Sequence, residues 1–108
     1  MTVQELQEKC AFKAVCMPDG GREIDGCYIG DLLSWVMGRA QADSAWITIM
    51  SNINIVAVAS LTDVSCIILA EGVTVDDSIV TTAEQKGINI LLSNEKAYET
   101  AVAVYKNI

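Results

Sequence analysis

The chain has 108 residues, 52% of them apolar, and a formal charge of −7 with no histidine. That length suits one domain over residues 1–108 with a real core. The acid excess and seven scattered basic residues exclude nucleic acid and anionic membrane as partners, because phosphate binding needs clustered Lys and Arg. Thr2-Val3-Gln4-Glu5 opens the chain as a capping box, which predicts a short helix with Val3, Leu6 and Cys10 along one side. Residues 11–16 alternate loosely and read as a first strand, broken at Met17-Pro18-Asp19-Gly20-Gly21. Residues 23–29 read as a second extended segment. Gly30-Asp31 then starts a helix over 31–40, with Leu32, Leu33, Val36, Met37 and Ala40 facing inward at helical spacing. Trp35 falls off that stripe, which points to a subunit contact unless the chain's own loops cover it.

From Ser44 onward one pattern is written three times: an apolar β-type run, a small capping residue, then a helix. The first run is Ala45-Trp46-Ile47-Thr48-Ile49-Met50 ending at Ser51-Asn52, followed by a helix over 52–61. That helix is apolar on every side, so it is expected to be buried all round, by the sheet and its neighbours or by a second subunit. The second run is Cys66-Ile67-Ile68-Leu69, with Thr74 as cap, Asp76 and Asp77 in the first turn, Ile79, Val80 and Ala83 inward, and Gly87 as the stop. The third is Ile88-Asn89-Ile90-Leu91-Leu92 ending at Ser93-Asn94, followed by a helix over 94–106 whose apolar face is Ala97, Tyr98, Ala101, Val102 and Tyr105. The alternation predicts parallel βαβ units in a three-layer α/β sandwich, with a mostly parallel sheet of about five strands and helices on both faces.

Without histidine there is no His-based triad, general base or metal cluster. The one glycine cluster, Asp19-Gly20-Gly21-Arg22, lacks the lysine and following helix of a phosphate-binding loop and reads as a turn. Cys10, Cys16, Cys27 and Cys66 match no paired zinc spacing and read as small apolar residues, with an iron–sulfur or redox role as the minority reading. No metal or cofactor is expected. The remaining candidate is a ligand site at the carboxyl edge of the sheet, where three helix starts bring Ser51, Asn52, Asn54, Glu71, Gly72, Ser93 and Asn94 to an anionic or nucleotide-like ligand. Ordinary helix capping uses the same residue types. No apolar run reaches the ~20 residues of a membrane span, and no charged leader precedes an apolar stretch, so a cytoplasmic location is expected.

Several segments resemble the DRTGG-type domain. Thr2-Val3-Gln4-Glu5-Leu6, Gly21-Arg22-Glu23-Ile24-Asp25-Gly26 and Gly30-Asp31-Leu32-Leu33 are similar to its first half and to the N-terminal domain of HPr kinase/phosphorylase. Trp46-Ile47-Thr48-Ile49, Asn54-Ile55-Val56-Ala57-Val58-Ala59 and Ile67-Ile68-Leu69-Ala70-Glu71-Gly72 resemble its second half, most of all the stand-alone version found near iron-only hydrogenase genes in anaerobic bacteria. The chain departs from the naming motif. Asn52-Ile53 stands where the family has Asp-Arg, and Ala70-Glu71-Gly72 where it has Thr-Gly-Gly, so only Gly72 persists. The resemblance implies a regulatory or ligand-sensing α/β domain, a homodimer, without catalysis of its own and with an association to hydrogenase or redox metabolism. A protein-interaction module docking a partner enzyme through Trp35 is the second reading.

Overall fold

A computed structural model describes all 108 residues. Its elements are α1 (Val3–Cys10), β1 (Lys13–Cys16), β2 (Gly26–Ile29), α2 (Leu33–Arg39), β3 (Ser44–Thr48), α3 (Asn54–Thr62), β4 (Cys66–Leu69), α4 (Asp77–Lys86), β5 (Ile90–Leu92) and α5 (Ala97–Asn107). They form the expected α/β sandwich on a five-stranded sheet in the order β1-β5-β4-β3-β2. Strands β2 to β5 run parallel in succession, and β1 pairs antiparallel with β5 at one edge. No helix is long and apolar enough to cross a membrane.

The period-2 alternation of side chains divides the core in two. Trp46, Ile67, Leu69 and Ile90 point to one face and meet Val36 of α2, Ile55, Val56 and Ala59 of α3, and Ile79 and Ala83 of α4. Ala45, Ile47, Cys66, Ile68 and Leu91 point to the other and meet Val3 and Leu6 of α1 and Val104 of α5. The neighbouring inner strands β3 and β4 are buried along their whole length, which is why both are dominated by apolar residues rather than alternating with polar ones.

Several local expectations are corrected. Residues 23–25 are not strand; Glu23 makes only an isolated bridge to Thr2. Of the α2 stripe only Val36 is buried, while Leu32 and Met37 are exposed, because a seven-residue helix over an edge strand meets the sheet along one line. The sheet and its neighbours in the same chain do not cover helix α3 all round: Ile55, Val56, Val58 and Ala59 join the core on the sheet side, and Leu61 is 71% exposed on the outer side. Thr74 does not cap α4; Asp76 holds that position. In α5 the buried residues are Thr100 and Val104, and Tyr98 and Tyr105 stand outside, so the predicted stripe was rotated away from the true one.

Candidate ligand crevice at the carboxyl edge

The connections after β2, β3 and β4 all pass to one face of the sheet, whereas the connection after β5 passes to the other. Residues 70–76 and 93–96 therefore leave adjacent strands in opposite directions. A gap opens between such loops, and open α/β sheets bind ligands there. Here the gap is a crevice of about 490 Å³. Gly72, Val73 and Thr74 form one wall, Leu92, Ser93, Asn94 and Glu95 a second, and the end of α1 with the start of β1 (Cys10, Ala11, Phe12 and Lys13) the third.

The two loops are stitched together beneath this opening. Gly72 N donates to Ser93 O at 3.0 Å and Glu71 N to Glu95 O at 2.7 Å. Glu71 and Gly72 both have positive φ, 66° and 70°, in consecutive left-handed positions that favour glycine. The Glu71 side chain turns this to use, its carboxylate accepting from Ala97 N at 3.0 Å and so capping α5 in place of a local residue. Buried Ser93 shares a hydrogen bond with Thr100 and accepts from Glu95 N. Among the residues that line the crevice, several donors have no partner in the chain: the amides of Thr74 and Asn94, the Thr74 hydroxyl, the Asn94 carboxamide and the Lys13 ammonium, which is in none of the ion pairs. Glu95 is the one carboxylate in the lining.

The seven residues expected from sequence divide accordingly. Gly72, Ser93 and Asn94 line the crevice, and Glu71 lies beneath it as a cap. Ser51, Asn52 and Asn54 are not part of it. They follow β3, where Asp31 closes the edge by accepting from Thr48 Oγ1 at 2.8 Å and Ile49 N at 3.0 Å. Asn52 closes a local turn before α3, its side-chain oxygen accepting from Asn54 N at 2.9 Å, while Ile53 holds the N-cap position. Sequence reasoning missed Lys13, Phe12 and Glu95. Only the antiparallel pairing of Lys13 with Leu92 brings the first strand to this site, and nothing local in residues 11–16 encodes that partner.

The cysteines do not offer a nucleophile. Burial raises the Cys10 thiol at the crevice wall above its ordinary value. Burial also pushes Cys16 up to about 12, helped by its hydrogen bond to Glu84, and Cys66 to about 12. Reactive thiols are shifted the other way. The crevice is thus a donor-lined cleft suited to hold a small anion or a polar ligand.

The DRTGG domain family profile matches residues 29–106, more than two thirds of the chain. The chain belongs to this family. No curated protein matches the chain in sequence. Among solved structures, the DRTGG chain is similar to the regulatory region of Clostridium perfringens pyrophosphatase, which contains CBS and DRTGG domains and was crystallised with its activator diadenosine tetraphosphate. The TM-score is 0.74 at 12% identity, over 95% of this chain and 45% of that one. At that identity the likeness is one of fold, and this DRTGG chain spans less than half of the pyrophosphatase region.

Proposed function

We propose that this DRTGG domain is a non-catalytic ligand-sensing module that binds a phosphate-bearing small molecule of the nucleotide class in the β4/β5 crevice. The observation that carries the reading is the set of unpartnered donors, Lys13, Thr74 and Asn94, gathered at the sheet's switch point in a chain of net charge −7. The volume of about 490 Å³ lies in the range of small-molecule pockets. The similar pyrophosphatase region binds a dinucleoside polyphosphate, which makes that class the first to try.

The groups present support sensing rather than turnover. Lys13 and the free amides hold charge, Phe12 offers an apolar wall, and Glu95 excludes a second anion from its side of the lining. The test is thermal denaturation and isothermal titration with inorganic phosphate, AMP, ATP and diadenosine tetraphosphate. A saturable rise in melting temperature with a nucleotide, lost in Lys13→Glu, is expected. No response to any of the four, or a response unchanged by Lys13→Glu and Asn94→Ala, overturns the proposal.

A further inference from the structure

The crevice does not end at its α1 wall. Cys10, which belongs to that wall, also lines a furrow of about 450 Å³ on the outside of the molecule between α1 and α5. The furrow begins where α1 stops at Cys10, because Ala11 takes a left-handed φ of 55° and turns the chain into β1. Contacts between the two helices close its floor: the Cys10 thiol donates to Ala103 O and accepts from Asn107 Nδ2, each at 3.7 Å. On α5, Tyr98, Val102 and Lys106 fall at i, i+4 and i+8 and form one bank, with Glu99 beside them. Lys9 stands on the other bank.

Charge is segregated along this path. Three of the chain's seven basic residues, Lys9, Lys13 and Lys106, line the crevice or the furrow, against two of its fourteen acids, Glu95 and Glu99. None of the three lysines is in an ion pair. A continuous depression is therefore locally positive in a chain of net charge −7. Each part of it also sets an aromatic ring beside its cations: Phe12 with Lys13 in the crevice, and Tyr98, 74% exposed, with Lys9 and Lys106 in the furrow. A ring exposed in this way offers a face on which a heterocycle stacks.

We infer that the furrow is a second subsite that takes the far half of an elongated ligand, its phosphates passing Cys10 from Lys13 to Lys9 and Lys106 and its second base stacking on Tyr98. This rests on the reading of the crevice as a phosphate site. Two stations, each with one ring and at least one cation, fit a molecule with an aromatic group at both ends and a chain of phosphates between them. A mononucleotide occupies the crevice alone, and an inorganic polyphosphate leaves Tyr98 unused. A ligand that reaches both stations makes its second contact intramolecularly, so the two halves reinforce each other.

Isothermal titration of the full chain with AMP, adenosine 5′-tetraphosphate and diadenosine tetraphosphate tests it. Affinity is expected to rise in that order, by about tenfold at each step. Tyr98→Ala should remove the second step only, and the double variant Lys9→Gln/Lys106→Gln the first. All three side chains are exposed, so both variants should fold and keep the parent affinity for AMP within about twofold. In the unaltered chain, amide NMR signals of residues 98–107 should shift with diadenosine tetraphosphate and not with AMP. Equal affinity for all three ligands, a gain indifferent to the variants, or shifts confined to the crevice overturns the second subsite and leaves the crevice reading standing. Failure of all three ligands to bind overturns both.

Discussion

Glu71 occupies the first of two consecutive left-handed positions, where the family motif has paired glycines. A side chain there costs about 1 kcal/mol of backbone strain. What offsets it is the 3.0 Å hydrogen bond from Ala97 N, a cap of about 1 kcal/mol. The two substitutions Glu71→Ala and Glu71→Gly separate these effects. Alanine keeps the strain and loses the cap, so urea unfolding is expected to show a loss of about 1 kcal/mol; glycine loses both and stays near the parent chain. If alanine and glycine prove equally destabilising, strain at residue 71 is not the reason the carboxylate is needed. The departure from Thr-Gly-Gly is thus a local exchange of one stabilising device for another, and it leaves the neighbouring wall at Gly72 in place. The thiols make a second prediction at this scale. Cys16 and Cys66, both raised to about 12, should alkylate with iodoacetamide at pH 8 far more slowly than free cysteine. Rapid modification of the native chain at either residue would contradict the burial described here.

At the scale of elements, α1 shows how a sequence pattern becomes a stabilising contact. Thr2 Oγ1 accepts from Glu5 N at 3.1 Å, and the Glu5 carboxylate accepts from Thr2 N at 2.9 Å. Thr2→Ala is expected to cost about 1 kcal/mol in chemical denaturation. Hydrogen bonding from the Thr2 backbone, then from its side chain, holds the Glu5 carboxyl below its ordinary 4.5. A lowered folded-state value means the contribution is present above 4.5 and is lost as pH falls through the folded value. The gap in stability between the parent chain and Glu5→Gln should accordingly be widest above pH 5 and shrink as the solution is acidified. That capping box, the three strand-and-helix units and the Gly87 stop were legible because each depends on residues within one turn or one run. Helix faces were less legible. In α5, Ala97 and Ala101 are partly buried against the core, so an apolar face drawn from them through Tyr98 and Tyr105 satisfied the same periodicity as one drawn through Thr100 and Val104. The tie is broken by Thr100, a polar residue whose burial depends on a partner, Ser93, that local periodicity does not reveal.

Across the whole molecule the two edges of the sheet are built for different purposes. At the amino edge, buried Asn89 accepts from Asp19 N and donates to Asp19 O and Ser65 O, tying the turn after β1 to the start of β5. The Arg22 guanidinium bridges Asp43 and Asp63 at 2.9 Å to each, joining the segments that lead into β3 and β4. At the carboxyl edge the donors of Lys13, Thr74 and Asn94 are left without partners in the chain. This edge was only half legible in the sequence, since loops that follow strands mark it but the lysine comes from the opposite end of the chain. Stability and binding should therefore separate by edge. Asn89→Ala leaves the buried Ser65 carbonyl without its partner and frees two part-buried groups of Asp19, and is expected to cost about 2 kcal/mol, lowering the melting temperature by roughly 10 °C. A nucleotide at a hundred times its dissociation constant should still add about 2.7 kcal/mol to that weakened domain. Lys13→Glu should do the reverse, melting close to the parent chain while losing the ligand-dependent increment. Scanning calorimetry of both variants with and without nucleotide measures the two effects side by side. An Asn89→Ala chain that folds but no longer responds to nucleotide would mean that the edges are coupled, with the amino-edge network transmitting through β5 to Ser93 and Asn94.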